Sequence, residues 1–247
     1  MIDILEKEKK VTIVGAARSG VAAAKLLKRK GFDVFLSDST DEAKIDKTFS
    51  AEIKEKGIAH EFGVHSDRAF ESEIMVVSPG VPQNSAIIQK ALAKGINVVS
   101  EIEAASWFCK GKVIAITGTN GKTTTTTLIG EIFKDAGFKT FVCGNIGIAF
   151  SDIVEQTDEK SIVVLETSSF QLDNIKKFKP FISILLNVTP DHLDRYESFE
   201  KYLESKMRIA ENQGSSDYFV FNYDDELVRR SANSENASKS AFSLNVS

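Results

Sequence analysis

The sequence predicts an α/β protein of two parallel-sheet domains, a Rossmann-like unit followed by a P-loop NTPase-like unit. Three observations carry this prediction. Short β-rich runs alternate with longer helical patterns from end to end, two of those runs lead into glycine-rich loops that open helices, and the alternation restarts after a polar break at 107–111. A chain of 247 residues, 42% hydrophobic and 27% charged, has material for one large core or two smaller ones.

The first unit is assigned to 1–110. Strands are expected over 11–14, 34–37, 74–78 and 97–99, with helices over 21–30 and 85–94 stopping at Gly31 and Gly95, where a C-terminal glycine ends the last turn. The second unit, 111–247, opens with a strand over 113–117 and a helix after Lys122. Strands follow over 138–142, 162–165, 182–188 and 218–221, with a helix over 199–211. From 231 the composition turns to Ser and Asn, and only 241–244 hints at a last strand. No internal repeat or low-complexity block appears, which excludes a solenoid.

Composition narrows the functional classes. Lys+Arg 31 against Asp+Glu 35 gives a net charge of −4, which argues against a generic basic nucleic-acid binder while leaving room for local anion sites. The start, MIDILEKEKK, lacks a long apolar core, and the apolar stretches at 113–116 and 181–186 are too short to span a bilayer. A soluble cytoplasmic protein without membrane or nucleic-acid partners is expected. Cys109 and Cys143 are far apart and outside any CxxC pair, so both read as buried small hydrophobes rather than disulfide or zinc ligands.

The strongest chemical signal is IAIT at 114–117 running into GTNGKTT at 118–124. A strand, a glycine-rich loop and a helix start together cradle phosphate. Gly118, Thr119, Asn120 and Gly121 offer converging backbone N–H groups, Lys122 a point charge for β/γ-phosphates, and Thr123 a hydroxyl for Mg²⁺, with Thr124 following. The loop departs from GxxxxGK[ST], because Ile116 stands where that pattern has its first Gly. Five consecutive threonines, 123–127, open a helix against their local preference, a conflict of the kind found at functional sites.

Near the N-terminus, GAARSG at 15–20 follows a strand with GxGxxG spacing, Ala17 replacing the middle Gly, and Asp38 follows at the distance of a ribose-binding acid. Either a nucleotide diphosphate lies on the helix start, with Arg18 and Ser19 as donors, or the glycines serve a tight corner. SPGVP at 78–82 is a second rigid loop at the carboxyl end of the sheet, a ligand loop or a plain turn. Glu166 leaves a buried strand, as a Mg²⁺ ligand or as a solvated charge. His192 lies between Asp191 and Asp194 just after another strand, as a ligand or an incidental loop residue. Lys206, within a helical run, reads from its surroundings as a solvated lysine.

Five segments together resemble the Mur ligase family, the ATP-dependent amide-bond-forming enzymes of peptidoglycan precursor synthesis: GTNGKTT at 118–124, CGNIG at 143–147, LETSSFQL at 165–172, LNVTPDHLDRY at 186–196 and ESKMRI at 204–209. SSFQL resembles the branch that adds D-glutamate to UDP-N-acetylmuramoyl-L-alanine. The resemblance implies that Lys122 and Thr123 hold ATP phosphates and a first Mg²⁺ shared with Glu166. It also implies that His192 stands at a second Mg²⁺, and that Lys206 is carried as a carbamate ligating metal. Asn145, Ser168 and Gln171 then resemble residues that position the nucleotide-sugar, while Ser19, Asp38 and Ser39 fall in the UDP site. Catalytic roles are thereby expected for Lys122, Glu166, His192 and Lys206, with Thr123, Glu166, His192 and Lys206 as metal ligands. Other readings are a related amide ligase of the Mur or folylpolyglutamate type, a non-catalytic nucleotide-binding module, and an NAD-dependent dehydrogenase, which leaves the second phosphate loop unexplained. Members of the family resemble one another in having three domains, so the chain is expected to be a truncated form with an incomplete central domain and most of the D-glutamate site missing.

Overall fold

The computed structural model describes residues 9–192, 194–232 and 236–245. The stretch 1–8, residue 193 of the DHLDRY segment, and 233–235 and 246–247 of the Ser/Asn-rich stretch lie outside the described residues. The chain divides into two compact units between Trp107 and Phe108.

In the first unit the elements run β1 (Lys10–Val14), α1 (Arg18–Arg29), β2 (Asp33–Asp38), α2 (Lys47–Glu55), β3 (Ala59–Phe62), β4 (Ile74–Val77), α3 (Ala86–Ala93), β5 (Asn97–Ser100) and α4 (Glu101–Ser106). The sheet order is β3-β2-β1-β4-β5 and every pairing is parallel. Central β1 has Val11, Thr12, Ile13 and Val14 all buried, as a strand covered on both faces requires. Alanines 22–24 with Leu26 and Leu27 form the buried side of α1. Met75, Val77, Ile88, Ala91 and Val98 belong to one core cluster beneath the sheet.

The order 3-2-1-4-5 reverses direction between β1 and β4, so the loops after those strands part and leave a crevice at the carboxyl edge. Close packing behind the crevice depends on Gly20, where a Cβ would stand 1.9 Å from the Gly15 carbonyl oxygen. Three elements of this unit, α2, β3 and the short α4, lie outside the sequence expectation. Of α2 only Ile53 is buried, and all four residues of β3 are half-buried, so neither presents a clear hydrophobic period.

The second unit runs β6 (Lys112–Thr117), α5 (Lys122–Asp135), β7 (Thr140–Gly144), α6 (Phe150–Ile153), β8 (Ile162–Glu166), α7 (Ser169–Leu172), β9 (Ile182–Leu185), α8 (Phe199–Met207), β10 (Tyr218–Asn222), α9 (Glu226–Ala232) and β11 (Ser238–Phe242). Its sheet, β11-β10-β9-β6-β8-β7, is also parallel throughout. Here β6 is the switch point, flanked by β8 and β9. Several expected bounds move. The strand expected over 138–142 forms at β7, two residues later. The strand expected over 182–188 ends at Leu185, because the Leu186 and Asn187 backbone turns to the loop after β6: Leu186 N–H donates to Thr117, and Thr119 N–H donates to the Asn187 carbonyl. The helix expected over 199–211 gives way at Met207 to a tighter turn, Arg208–Ala210. Cys143 is buried as expected, whereas Cys109 is only half-buried. Among the described residues no helix is long and apolar enough to cross a membrane.

Candidate functional site

In the second unit the chemistry gathers where β6, β8 and β9 end. Gly121 precedes α5 in the left-handed region, φ 83°, which only a residue without a Cβ adopts freely, and this turns the loop sharply into the helix. The loop is pinned from the β9 side. Thr119 N–H donates to the Asn187 carbonyl (3.0 Å), Asn120 N–H to Asn187 Oδ1 (2.9 Å), and Asn187 Nδ2 returns a bond to the Asn120 carbonyl (3.0 Å). Thr189 N–H donates to Thr119 Oγ1 (3.1 Å), and the Tyr202 hydroxyl lies 3.3 Å from the same oxygen. The loop is therefore held by its own protein neighbours.

Lys122 lays its ammonium across the mouth of that loop, donating to the Gly118 carbonyl (2.9 Å) and the Thr119 carbonyl (2.8 Å). On the β8 side, Thr123 Oγ1 donates to Glu166 Oε2 (2.9 Å) and Asn145 Nδ2 to Glu166 Oε1 (2.8 Å). Glu166 is 1% exposed, so the parallel register of β8 beside β6 buries a carboxylate directly below the helix start.

Lys206, expected from its helical surroundings to be solvated, is instead 2% exposed. Its ammonium donates to the same Gly118 carbonyl as Lys122 (2.9 Å) and lies 4.4 Å from the centre of the Tyr202 ring. Burial first, then the neighbouring Lys122 charge, lowers its pKa to about 7, against the weaker pull of Asp191 and Asp173. Nearby, the Tyr196 hydroxyl donates to Asp173 Oδ2 (2.9 Å) and lies 3.2 Å from Ser205 Oγ. Burial raises the Asp173 carboxyl and raises Tyr196 further, the Asp173 charge adding to the effect.

His192 is half exposed, in contact with the Phe170 ring (4.9 Å between centres) and with its Nε2 3.6 Å from Asp191. Among the described residues it is the one non-glycine at positive φ, 52°. Ser168 and Gln171 pair with each other: Gln171 Oε1 accepts from the Ser168 N–H (3.0 Å) and hydroxyl (3.2 Å), closing the start of α7. Among the described residues no cluster of three or more His, Cys, Asp or Glu is grouped as for a metal.

The first unit holds a separate cleft of about 470 Å³, lined by Gly15, Ala17, Ser19, Asp38, Ser39, Thr40, His65 and the 78–82 loop. The three segments singled out in the sequence thus converge. Asp38 is occupied differently from a bare ribose acceptor. One oxygen accepts from the Ala16 N–H (2.6 Å) and the other from the Thr40 N–H (2.7 Å), tying the loop after β1 to the turn after β2.

Family models match both units: the Mur ligase MurD-like N-terminal domain over 9–100 and the Mur ligase middle domain over 116–246. The chain belongs to the Mur ligase family. Curated relatives named UDP-N-acetylmuramoylalanine–D-glutamate ligase include one from Salinibacter ruber, 50% identical, with 90% of this chain and 49% of the relative covered. Another, from Alkaliphilus metalliredigens, is 43% identical over 96% and 52%. The chain spans about half the length of these relatives. A solved structure of UDP-N-acetylmuramate:L-alanyl-gamma-D-glutamyl-meso-diaminopimelate ligase from Neisseria meningitides shares the fold, with a TM-score of 0.62 at 17% identity over 95% of this chain and 78% of that one. UDP-N-acetylmuramate-alanine ligase from Thermotoga maritima does so with a TM-score of 0.56 at 22% identity, over 97% and 53%.

Within this Mur ligase chain the expected ATP–Mg²⁺ chemistry can be tested on the residues themselves. A threonine hydroxyl paired with one buried carboxylate is a hard oxygen set, and Mg²⁺ characteristically takes one or two carboxylates and completes its shell with phosphates and water. The residues fit. The sequence expectations assigned no role to Asn187, Thr189 and Tyr202, which hold the loop after β6, or to Ser37, Glu61 and His65 beside the other cleft. Asn187 had a signal, being the first polar residue after an apolar strand. His65 had none beyond being one of three histidines.

Proposed function

We propose that this protein carries the nucleotide-sugar and ATP sites of a cytoplasmic ligase that joins D-glutamate to UDP-N-acetylmuramoyl-L-alanine through an acyl phosphate. The observation that carries the reading is the convergence of Lys122 and buried Lys206 on the Gly118 carbonyl, beside the Thr123–Glu166 pair. In this reading UDP occupies the first-unit cleft against Ser19, Asp38 and Ser39, and ATP occupies the loop 118–124.

The chemistry follows from the charges. A carboxylate is a poor acylating agent, so the terminal alanine carboxylate must first take the γ-phosphoryl group of ATP, and two anions must meet. Lys122 exchanges its loop carbonyls for phosphate oxygens, and the backbone N–H groups at the start of α5 face the same charge. Thr123 and Glu166 would hold one Mg²⁺, and His192 with a carbamylated Lys206 a second. When bound there, the ions would supply Lewis-acid neutralisation of the phosphates. A pKa near 7 suits Lys206 to this modification, because only the neutral amine adds to CO₂, forming an N–C bond and losing a proton. Asn145, already on Glu166, with Ser168 and Gln171 on α7, would position the sugar-linked carboxylate. The amine of D-glutamate then attacks the acyl phosphate and releases phosphate. Holding the reactants in line supplies much of the acceleration.

Calorimetric titration tests the reading. UDP-N-acetylmuramoyl-L-alanine and, separately, a non-hydrolysable ATP analogue with Mg²⁺ should each bind at one site. Lys122→Ala should lose the second and keep the first. Failure of either ligand to bind the unaltered protein would refute it.

A further inference from the structure

Beside the first-unit cleft, three side chains from different elements form a chain of short hydrogen bonds. The Ser37 hydroxyl, at the end of β2 and 0% exposed, is 2.7 Å from Glu61 Oε1 on β3 and 2.7 Å from Nδ1 of His65. Glu61 Oε1 also accepts from the Ser66 N–H (2.9 Å). A hydroxyl has one proton. Burial works against the Glu61 charge, but bonds from Ser66 and Ser37 outweigh it and hold the carboxyl below its ordinary range, so Glu61 is an ionised acceptor. The Ser37 proton therefore points to Glu61, the alternative Val64 carbonyl being 3.5 Å away. The hydroxyl oxygen must then accept from His65, which places the imidazole proton on Nδ1. Burial also lowers the His65 pKa, against the attraction of Asp38 and Glu61, so the ring is neutral at pH 7. His65 lines the cleft while its Nδ1 edge faces Ser37, and no hydrogen bond to Nε2 is found among the described residues.

We infer that the Glu61–Ser37–His65 chain fixes one imidazole tautomer, so that His65 Nε2 presents a lone pair to the cleft and accepts a hydrogen bond from the nucleoside end of the ligand. An acceptor repels phosphate oxygens, so its partner is a donor: the imide N–H of a pyrimidine base or a ribose hydroxyl. His65 is thus a specificity residue that rewards a donor at that point and penalises its absence. The inference rests on the reading that the cleft takes a uridine nucleotide.

Two measurements separate its failure from that of the underlying reading. With ¹⁵N-labelled histidine, the three side chains give few signals, and the free protein at pH 7 should show His65 neutral with its proton on Nδ1. A proton on Nε2 would overturn the inference whatever binds. UDP, N3-methyl-UDP and 2′-deoxy-UDP are then titrated into the protein and into His65→Ala and His65→Phe, the latter keeping ring bulk. The unaltered protein should lose about fivefold to tenfold in affinity for one of the two altered nucleotides, and both variants should lose the same factor for UDP and cease to discriminate. UDP binding that is unchanged in both variants overturns the inference alone. No UDP binding by the unaltered protein overturns the cleft reading and this inference with it.

Discussion

Single residues in this chain work through what their neighbours already hold. Lys206 is the clearest case, because a lysine that the sequence places on a helix is buried and shares an acceptor with Lys122. An exposed lysine stays charged to about pH 10.4. Lowered to about 7, Lys206 becomes a neutral amine as pH rises through neutrality. With ¹³C-bicarbonate, the carbamate carbon signal should therefore grow between pH 6 and 8 and vanish in Lys206→Ala. In Lys122→Ala the growth should move to higher pH, since one of the two causes of the depression is gone; an unmoved profile would show that burial alone sets it. Asp38 illustrates the opposite situation. Its two oxygens bind backbone N–H groups of two loops, so Asp38→Ala should lower stability by about 2 kcal/mol, read as a shift in denaturant midpoint, and weaken UDP through the loosened loops. A change in UDP affinity with no loss of stability would instead mean that Asp38 acts on the ligand directly.

At the scale of elements, legibility in the sequence followed punctuation. The loops at 15–20, 78–82 and 118–124 were visible because glycine and proline mark where a parallel strand stops and a helix begins, and a parallel sheet brings all such ends to one edge. The α2–β3 pair was not visible, since an edge strand with all four residues half-buried carries no alternation, and the 182–188 expectation ran past the true strand end because Leu186 and Val188 stay apolar while serving the loop. The strand end marked Glu166 and resemblance named Lys206, but their bonds to Thr123 and Gly118 span 43 and 88 residues, beyond any local pattern. The His65 chain was hidden for the same reason. Glycine positions give the element-scale prediction. Gly121→Ala keeps the sequence helix-friendly but must hold φ 83°, costing about 1–2 kcal/mol, and nucleotide binding should fall more than stability does. Gly20→Ala must move backbone, because its Cβ meets a carbonyl oxygen, and should cost stability first, by about 1–3 kcal/mol or more. The reverse ranking of the two variants in a denaturant titration would contradict this account.

For the whole molecule, a net charge of −4 conceals a local gathering of positive charge, where Lys122 and Lys206 meet on one carbonyl. Each parallel sheet reverses its order beside one central strand, β1 in the first unit and β6 in the second, and each reversal opens a gap into which a glycine-rich loop and a helix start project. The two gaps differ in what surrounds them: acceptors and hydroxyls from Asp38, Ser39 and His65 in one, two lysines and a hydroxyl–carboxylate pair in the other. On the proposed reading the first takes the nucleoside with its donors and the second the triphosphate with its charge. Hydrogen exchange tests this division. A ligand at a hundred times its Kd stabilises the state it binds by about 2.7 kcal/mol, enough to slow exchange about a hundredfold wherever opening must release it. UDP should protect 15–20, 38–40 and 78–82, while the ATP analogue with Mg²⁺ should protect 118–124 and 187–189, the segment that pins the loop through Asn187 and Thr189. Should UDP bind and leave the first three segments at their free rates, its site is elsewhere, and the crevice between β1 and β4 is then a by-product of sheet order rather than a place for ligand.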